Sequence, residues 1–249
     1  MSENINNSYF DGHYKDIWRA IIPAELTVKE VDFMFQYFHL QPGSKVLDIM
    51  CGYGRHAIGL AEKGVSATAV DNLGEYISEI QDKATQNKLD IKAFKADVIN
   101  FKSDEQFDLA ICMGNSLNFF PAEDTLALLQ SISAQLKEGG YLLINSWSLA
   151  EIAIKHFVEK TWAEVNGYKI LTDCQYLFDP TRIEAETTII SNEGIVESKK
   201  AVDYIFSISE IQTLLKDAGF LFKEIYSIPG RKRFKLGDAR AYIVAQKIK

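Results

Sequence analysis

The chain has 249 residues, 47% of them hydrophobic, which is enough to bury a sizeable core in one large domain or two small ones. Its 34 acidic residues outnumber its 27 basic residues, and the net charge of -7 disfavours binding to nucleic acid. The three cysteines form no CxxC pair and no run approaches the ~18 apolar residues of a membrane span, so we expect a cytoplasmic protein that binds no metal and no membrane.

The N-terminal part of the chain is predicted to be helical. After a start that looks disordered, residues 9–40 carry apolar side chains at helical spacing, with Pro23 as a break. A turn at 41–45 then leads into the first strand.

Strands and helices alternate from residue 46 to residue 145. The predicted strands span 46–50, 65–70, 91–95, 107–112 and 141–145, and the predicted helices span 55–63, 75–87 and 124–136. This alternation predicts parallel strands joined by right-handed crossovers, with helices on both faces of the sheet.

The pattern changes at residue 148. Residues from about 162 to 206 alternate apolar and polar side chains and carry turn signals at 179–180 and 192–194, which predicts an antiparallel β insert over residues 148–206. The α/β pattern then returns with a helix at 209–218 and strands at 220–226 and 241–246. We therefore expect one α/β domain over residues 1–249, with the insert as part of it.

The stretch VLDIMCGYGRHAIGLAEKG, residues 46–64, joins a strand to a helix through a loop with two glycines. Ligands of open parallel sheets bind at the carboxyl ends of the strands, where the first N–H groups of the following helix are free. Gly52 and Gly54 allow close backbone approach, so these amides can bind a small anion such as a carboxylate. Asp48 places a negative charge beside them, which suits a ligand that also carries a cation.

Two more aspartates end the next two strands. Asp71 is placed to accept hydrogen bonds from a ribose diol. Asp97 can accept from an adenine amino group, with Val98 donating its backbone N–H. Any one of these acids alone is better explained as a helix cap or a loop residue. Together they predict an elongated ligand with amino-acid, ribose and adenine portions.

A nicotinamide dinucleotide is the competing ligand. Residues 52–57, GYGRHA, match the GxGxxA pattern of dinucleotide sites and are followed by an acid. Asp48 argues against this ligand, because a carboxylate at the mouth of the loop would repel a pyrophosphate. An NAD(P)-dependent oxidoreductase is therefore kept as an alternative.

On these motifs the chain resembles the class I S-adenosylmethionine-dependent methyltransferases, in particular a small-molecule branch whose first motif is similar to LDLxCGxGRHxxxLA. The resemblance implies a Rossmann-like sheet of seven strands, mostly parallel, in which the last strand is antiparallel. It also implies S-adenosylmethionine as the cofactor. The chain departs from the family at Met50, where a small residue is usual. The larger methionine side chain either narrows the cofactor pocket or packs beneath it.

The resemblance assigns roles to particular residues. The implied cofactor contacts are Asp48, Cys51, Gly52, Gly54, Asp71, Asn72, Asp97, Val98, Met113 and Ser116. Asn115 falls beside the transferred methyl group, where it could hold an acceptor or merely cap a turn. His13 and Tyr14 are candidate catalytic residues in a segment, 1–40, that forms a lid in similar enzymes, or they staple a helix to the sheet. The resemblance also divides the rest of the chain: the core consists of residues 41–147 and 207–249, and the insert, residues 148–206, covers the substrate.

The expected reaction is direct in-line transfer of a methyl group to a small molecule, with nitrogen or oxygen favoured over carbon as the acceptor atom. DNA amino-methyltransferases carry an Asn/Asp-Pro-Pro-aromatic motif after the fourth strand, whereas this chain has MGNS at 113–116. No Pro-Cys dipeptide supplies a nucleophile for carbon-5 methylation. A protein that binds the cofactor without turnover is a second alternative, and neither the acceptor nor the oligomeric state is predicted.

Overall fold

The computed structural model describes residues 4–248 and contains two β-sheets. In chain order the strands are β1 (Lys45–Ile49), β2 (Ser66–Asp71), β3 (Ile91–Lys95), β4 (Phe107–Cys112), β5 (Leu136–Ser146), β6 (Lys160–Val165), β7 (Tyr168–Phe178), β8 (Thr181–Ile190), β9 (Val196–Tyr204), β10 (Phe220–Ile228), β11 (Lys232–Arg233) and β12 (Ala241–Lys247). The helices are α1 (His13–Ile21), α2 (Ala24–Tyr37), α3 (Arg55–Ala61), α4 (Gly74–Asn87), α5 (Ala122–Gln135), α6 (Ala150–His156) and α7 (Ile208–Asp217).

The main sheet has the strand order β11-β10-β12-β5-β4-β1-β2-β3. Strands β1 to β5 are parallel, and β12 runs antiparallel to both β5 and β10. The predicted mostly parallel, Rossmann-like sheet with an antiparallel last strand is therefore confirmed. The strand count is eight rather than seven, because the two-residue strand β11 pairs with the edge strand β10.

Both faces of the main sheet are buried by helices. Alternate residues of each central strand belong to different cores: Val46 packs in a cluster with Val31 and Met34 of α2, whereas Leu47 packs in a cluster with Leu128 of α5. This is why the central strands are almost continuously apolar in sequence, as expected for parallel strands covered on both sides.

The antiparallel insert is also confirmed. Strands β6 to β9 form a separate four-stranded sheet in which each strand pairs with its neighbour along the chain. Its inner face contacts the N-terminal segment, and its outer face is largely exposed, so the side chains alternate between half-buried and exposed along β7.

Two local predictions differ from the structure. The segment before residue 9, which looks disordered in sequence, contains a 3-10 helix, Ile5–Ser8, capped by the side chain of Asn4. Strand β5 begins at Leu136, inside the predicted 124–136 helix, because the chain continues through an irregularity at Gly139 and Gly140 before regular pairing with β4 resumes. None of the helices between residues 4 and 248 is long and apolar enough to cross a membrane.

Candidate functional site

A cavity of about 630 Å³ lies at the carboxyl ends of the central parallel strands. Nine of the predicted cofactor residues line it: Asp48, Cys51, Gly52, Asp71, Asn72, Asp97, Val98, Met113 and Ser116. The N-terminal segment supplies further wall residues, among them Asn4, Asn6, Phe10 and Trp18. Four predicted residues, Gly54, Asn115, His13 and Tyr14, are not part of the wall.

Asp48 is almost completely buried in the cavity wall at the end of β1. Its Oδ2 accepts a hydrogen bond from the backbone N–H of Ala57, in the first turn of α3, at 3.2 Å. Burial raises the pKa of Asp48 to about 7, although the Arg55 cation and the Ala57 N–H oppose that shift. Burial thus disfavours the ionised form of Asp48, and a cationic ligand would stabilise it.

The two glycines of the first loop have different roles. Gly52 has a φ of +55° and a Cβ placed on it would meet no atom within 4 Å, so this glycine leaves the loop surface open beside the cavity. Gly54, with a φ of +75°, lies against α4, where a Cβ would come within 2.6 Å of Ile80. Gly54 thus allows the loop to pack, whereas Gly52 forms part of the wall.

Asp71, at the end of β2, is fixed by backbone donors. Its Oδ2 accepts from the Gly52 N–H at 2.8 Å, and its Oδ1 accepts from the Leu73 N–H at 3.0 Å. Burial raises the pKa of Asp71, and these hydrogen bonds partly counter the increase. The neighbouring Asn72 donates to the backbone oxygen of Asn7, which links the end of β2 to the N-terminal segment.

Asp97 and Val98 form the wall beyond β3. Asp97 is exposed and accepts a hydrogen bond from the Ile99 N–H, while Val98 is buried. With Asp48 and Asp71, Asp97 completes a row of three carboxylates around one cavity. The predicted convergence of these strand ends is thus present in the structure.

Met50 has a left-handed backbone, with a φ of +55°. This conformation costs a non-glycine residue about 1–2 kcal/mol, which is a physical reason why glycine suits the position. The Met50 side chain lines the cavity and also packs against the core cluster on the α5 face of the sheet. It therefore contributes both to the cavity wall and to the packing beneath it.

The side chain of Asn115 is buried and hydrogen-bonded on both ends. Its Oδ1 accepts from the backbone N–H groups of Trp147 (2.9 Å) and Ser148 (3.0 Å), and its Nδ2 donates to Ser148 Oγ (2.8 Å) and to Asp203 Oδ2 (3.2 Å). Direct contact between Asn115 and an acceptor stays a prediction. The observed contacts describe a residue that positions others.

His13 and Tyr14 begin α1 beside the insert rather than in the cavity wall. The His13 backbone N–H donates to Glu197, and its ring lies 5.2 Å from that of Tyr168. Tyr14 packs against Tyr9 and is stacked with the cavity residue Trp18, and burial raises the pKa of its hydroxyl well above its ordinary value. Their catalytic roles also stay predictions.

Sequence reasoning missed Glu30, which is buried in α2 and holds the GRH motif in place. Its Oε2 accepts from Arg55 at 2.6 Å and from His56 at 2.9 Å, and its Oε1 accepts from the Tyr242 hydroxyl at 2.7 Å. Burial and the adjacent Arg55 cation lower the pKa of His56, and its buried ring contacts the Glu30 carboxylate, so we assign it a structural role. One signal was present: Glu30 lies one helical turn before the apolar Phe33 and Met34.

Comparisons with known proteins agree with this geometry. A family model described as a methyltransferase domain matches residues 46–140. A putative methyltransferase, YqeM, of Bacillus subtilis is 28% identical over 188 residues, which cover 71% of this chain and 73% of the relative. A glycine/sarcosine N-methyltransferase of Aphanothece halophytica is 25% identical over 182 residues, with coverages of 72% and 68%. The crystal structure of an S-adenosylmethionine-dependent methyltransferase from Clostridium acetobutylicum shares the fold, with a TM-score of 0.82, 19% identity and coverages of 95% and 96%.

The matched domain, the curated relatives and the fold support a class I S-adenosylmethionine-dependent methyltransferase. Solved structures that share this fold include methyltransferases with bound S-adenosylmethionine. The cavity fits such a cofactor, because it combines an open glycine loop with acids at three successive strand ends.

Proposed function

We propose that this methyltransferase acts on a small molecule and methylates a nitrogen or oxygen atom. The observation that carries the proposal is the enclosure of the cavity: the N-terminal residues Asn6, Phe10 and Trp18 form a wall of the same cavity as the strand-end acids. A volume of about 630 Å³ is in the range of roughly 300–1,000 Å³ usual for small-ligand sites. The glycine/sarcosine N-methyltransferase relative supports a small acceptor.

We assign the wall residues to parts of the cofactor. Asp48 and the Gly52 loop bind the amino-acid portion, Asp71 binds the ribose, and Asp97 with Val98 binds the adenine. Asn72, Cys51, Met113 and Ser116 complete the wall around them. In this assignment each carboxylate lies beside a part of the ligand that carries a hydrogen-bond donor or a positive charge.

When bound, S-adenosylmethionine supplies a methyl group that is already an activated electrophile. The protein then has to orient an acceptor and exclude water, and no covalent residue is needed. We assign the orientation to the β4–α5 loop, residues 113–121, and the exclusion of water to the N-terminal segment, residues 1–40, acting as a lid. Of this segment, residues 1–3 lie outside the described residues. The insert covers the acceptor side.

Residues 4–19 contact both sides of the cavity, which supports the lid assignment. On one side, Lys15 pairs with Glu75 of α4 at 2.6 Å, and the Tyr76 hydroxyl donates to the Phe10 backbone oxygen at 3.2 Å. On the other side, the Tyr9 hydroxyl is 3.1 Å from Thr187 of the insert. The segment therefore spans the cavity from the main domain to the insert.

Methyl transfer to fractionated cell extract tests the proposed function. Purified protein is incubated with S-adenosylmethionine labelled on the methyl carbon, and the label is followed in small-molecule, protein and nucleic-acid fractions. We expect label in the small-molecule fraction and none above background in the polymers. Label confined to protein or nucleic acid would overturn the proposal. An Asp71→Ala variant, assayed in parallel, controls for transfer that does not use this cavity.

A further inference from the structure

Asp203 is a further carboxylate, which lies near the cavity but outside the row formed by Asp48, Asp71 and Asp97. It lies on β9 of the insert, on the inner face of that sheet, opposite Ile183 of β8. Its Oδ2 accepts hydrogen bonds from Ser148 Oγ at 3.0 Å and from Asn115 Nδ2 at 3.2 Å. One oxygen of the carboxylate is thereby fixed by residues that follow β5 and β4.

The other oxygen, Oδ1, has no hydrogen bond to any residue between 4 and 248. Ser227 Oγ is the only completely buried side-chain atom without a hydrogen-bond partner in this part of the chain, so Oδ1 of the half-buried Asp203 is not completely buried. No lysine, arginine or histidine of the described residues forms an ion pair with Asp203. The structure thus presents a fixed carboxylate with one open oxygen and no counterion.

The groups that face Asp203 are polar or aromatic but not cationic. Burial is the main reason that the pKa values of the Tyr9, Tyr14 and Cys174 side chains are raised, and the nearby charge of Asp203 adds to the increase. The Tyr9 and Tyr14 rings are 4.5 Å apart. Tyrosine faces and an uncompensated carboxylate together form an environment that favours an ammonium group.

Asp203 also adjoins the part of the cofactor cavity that lies beyond β4. Asn115, its hydrogen-bond donor, is flanked in sequence by the cavity residues Gly114 and Ser116. Trp18, another cavity residue, lies nearly parallel to Tyr14, at 6.5 Å between ring centroids. A Cβ on Gly114 would be 3.7 Å from Trp18, so these residues close the same end of the cavity.

We propose that Asp203 binds the amine of the methyl acceptor, and hence that the acceptor atom is nitrogen. This inference rests on the proposed function and names its substrate class: small molecules with a primary or secondary amine. Oδ1 accepts a hydrogen bond from the protonated amine and orients it, while Asn115 and Ser148 hold Oδ2. Asn115 is then a positioning residue for the acceptor.

The carboxylate can also take the proton that blocks the nitrogen lone pair. The N–H bond breaks with its electron pair remaining on nitrogen, and the proton forms an O–H bond at Oδ1, so charge and atoms balance within the pair. Burial raises the pKa of Asp203 to about 6, against the lowering effect of the Ser148 and Asn115 hydrogen bonds. A carboxyl group with that pKa holds a proton near neutral pH more readily than an exposed aspartate does.

Carboxyl NMR tests the binding directly, without knowledge of the natural acceptor. Protein labelled with ¹³C at aspartate carboxyls is saturated with S-adenosylhomocysteine and titrated with methylammonium chloride, with potassium chloride and methanol as controls. The Asp203 resonance is assigned by its absence in Asp203→Asn and is checked with Asp203→Glu. We expect a saturable shift of this resonance with methylammonium alone. A resonance that methylammonium leaves unmoved, or that methanol moves equally, would overturn the inference.

Activity provides the second readout. With a panel of small amines and their matched alcohols, we expect label transfer only to amines, and a roughly ten- to hundredfold lower rate in Asp203→Asn, the loss expected for one charge-assisted hydrogen bond. Glu186→Gln removes the same charge from the outer face of the insert sheet and should leave transfer unchanged. If S-adenosylhomocysteine fails to bind even the wild type, the proposed function fails. If it binds both proteins equally but amine transfer survives in Asp203→Asn, only the role of Asp203 fails.

Discussion

The chemistry of Asp48 depends on its position at the end of a buried strand. Water cannot solvate its charge there, so the proton is held until about pH 7. A cationic ligand reverses this balance, because its positive charge stabilises the carboxylate. The sequence predicted the position of Asp48 from the strand pattern, but the shift in pKa depends on burial by elements that are remote in sequence.

This shift predicts how cofactor binding depends on pH. Binding of a ligand with an ammonium group favours the ionised Asp48, so the affinity for S-adenosylhomocysteine should increase as the pH rises through about 7. Calorimetric titrations at several pH values measure this dependence. In Asp48→Asn the increase should be much smaller. The same pH profile in wild type and variant would show that Asp48 does not face the ligand charge.

Residues that act through remote partners were the least predictable from sequence. Asp71 and Asp97 were found because each ends a strand, and strand ends of a parallel sheet meet at one edge. Glu30 and Asp203 instead gain their roles from contacts across long chain separations: Glu30 with Tyr242, and Asp203 with Asn115. No local pattern encodes such contacts.

Helix α2 is tied to α3 and β12 by the buried carboxylate of Glu30. Burial would raise its pKa, but the hydrogen bond from His56 and the charge of Arg55 bring it down to about 2, from an ordinary value of 4.5. A lowered acid pKa stabilises the folded state above pH 4.5, and this stabilisation is lost as the pH falls from there through about 2. The stabilisation that Glu30 provides is thus greatest near neutral pH.

Removal of the Glu30 carboxylate should therefore destabilise the fold. Glu30→Ala leaves Arg55 without its partner and should lower the free energy of unfolding by about 3–5 kcal/mol, as measured by urea denaturation at pH 7. Glu25→Ala, at an exposed position in the first turn of the same helix, is the matched control and should have little effect. Equal effects of the two substitutions would contradict a structural role for the Glu30 cluster.

Asn6 connects the N-terminal segment to the rest of the molecule. Its Nδ2 donates to the backbone oxygens of Phe119 (3.3 Å) and Val202 (2.9 Å), and its Oδ1 accepts from the Val202 N–H at 2.9 Å. It also lines the cavity. Asn6 is therefore held in place by residues that are remote in sequence. The local sequence pattern contains no sign of these contacts, and so it suggested disorder in this segment.

Substitution of Asn6 tests whether this segment is a lid. Asn6→Ala leaves the Val202 backbone groups without partners, a loss of about 1–3 kcal/mol. We expect roughly tenfold weaker binding of S-adenosylhomocysteine and faster proteolysis of the N-terminal segment. Asn87→Ala, at the exposed end of α4, is the control. Wild-type affinity together with wild-type proteolysis in Asn6→Ala would count against the lid.

At the scale of the whole molecule, the sequence predicted the α/β core and the antiparallel insert. It did not predict how the insert docks against the N-terminal segment. Alternating strands and helices, with the glycine loop in place, specify the parallel sheet, and the resemblance supplied the antiparallel last strand. The insert was recognised as antiparallel from its period of two. Its docking against the N-terminal segment depends on pairs such as Tyr9 with Thr187, which only the folded chain brings together.

The central claim is that the strand-end cavity binds S-adenosylmethionine, and calorimetric titration with S-adenosylhomocysteine, with NAD as the control ligand, tests it most directly. We expect micromolar binding of S-adenosylhomocysteine, no binding of NAD, and a loss of about 1.5–3 kcal/mol of binding free energy in Asp71→Ala. Binding of NAD in place of S-adenosylhomocysteine, or equal affinity for S-adenosylhomocysteine in the wild type and Asp71→Ala, would contradict it.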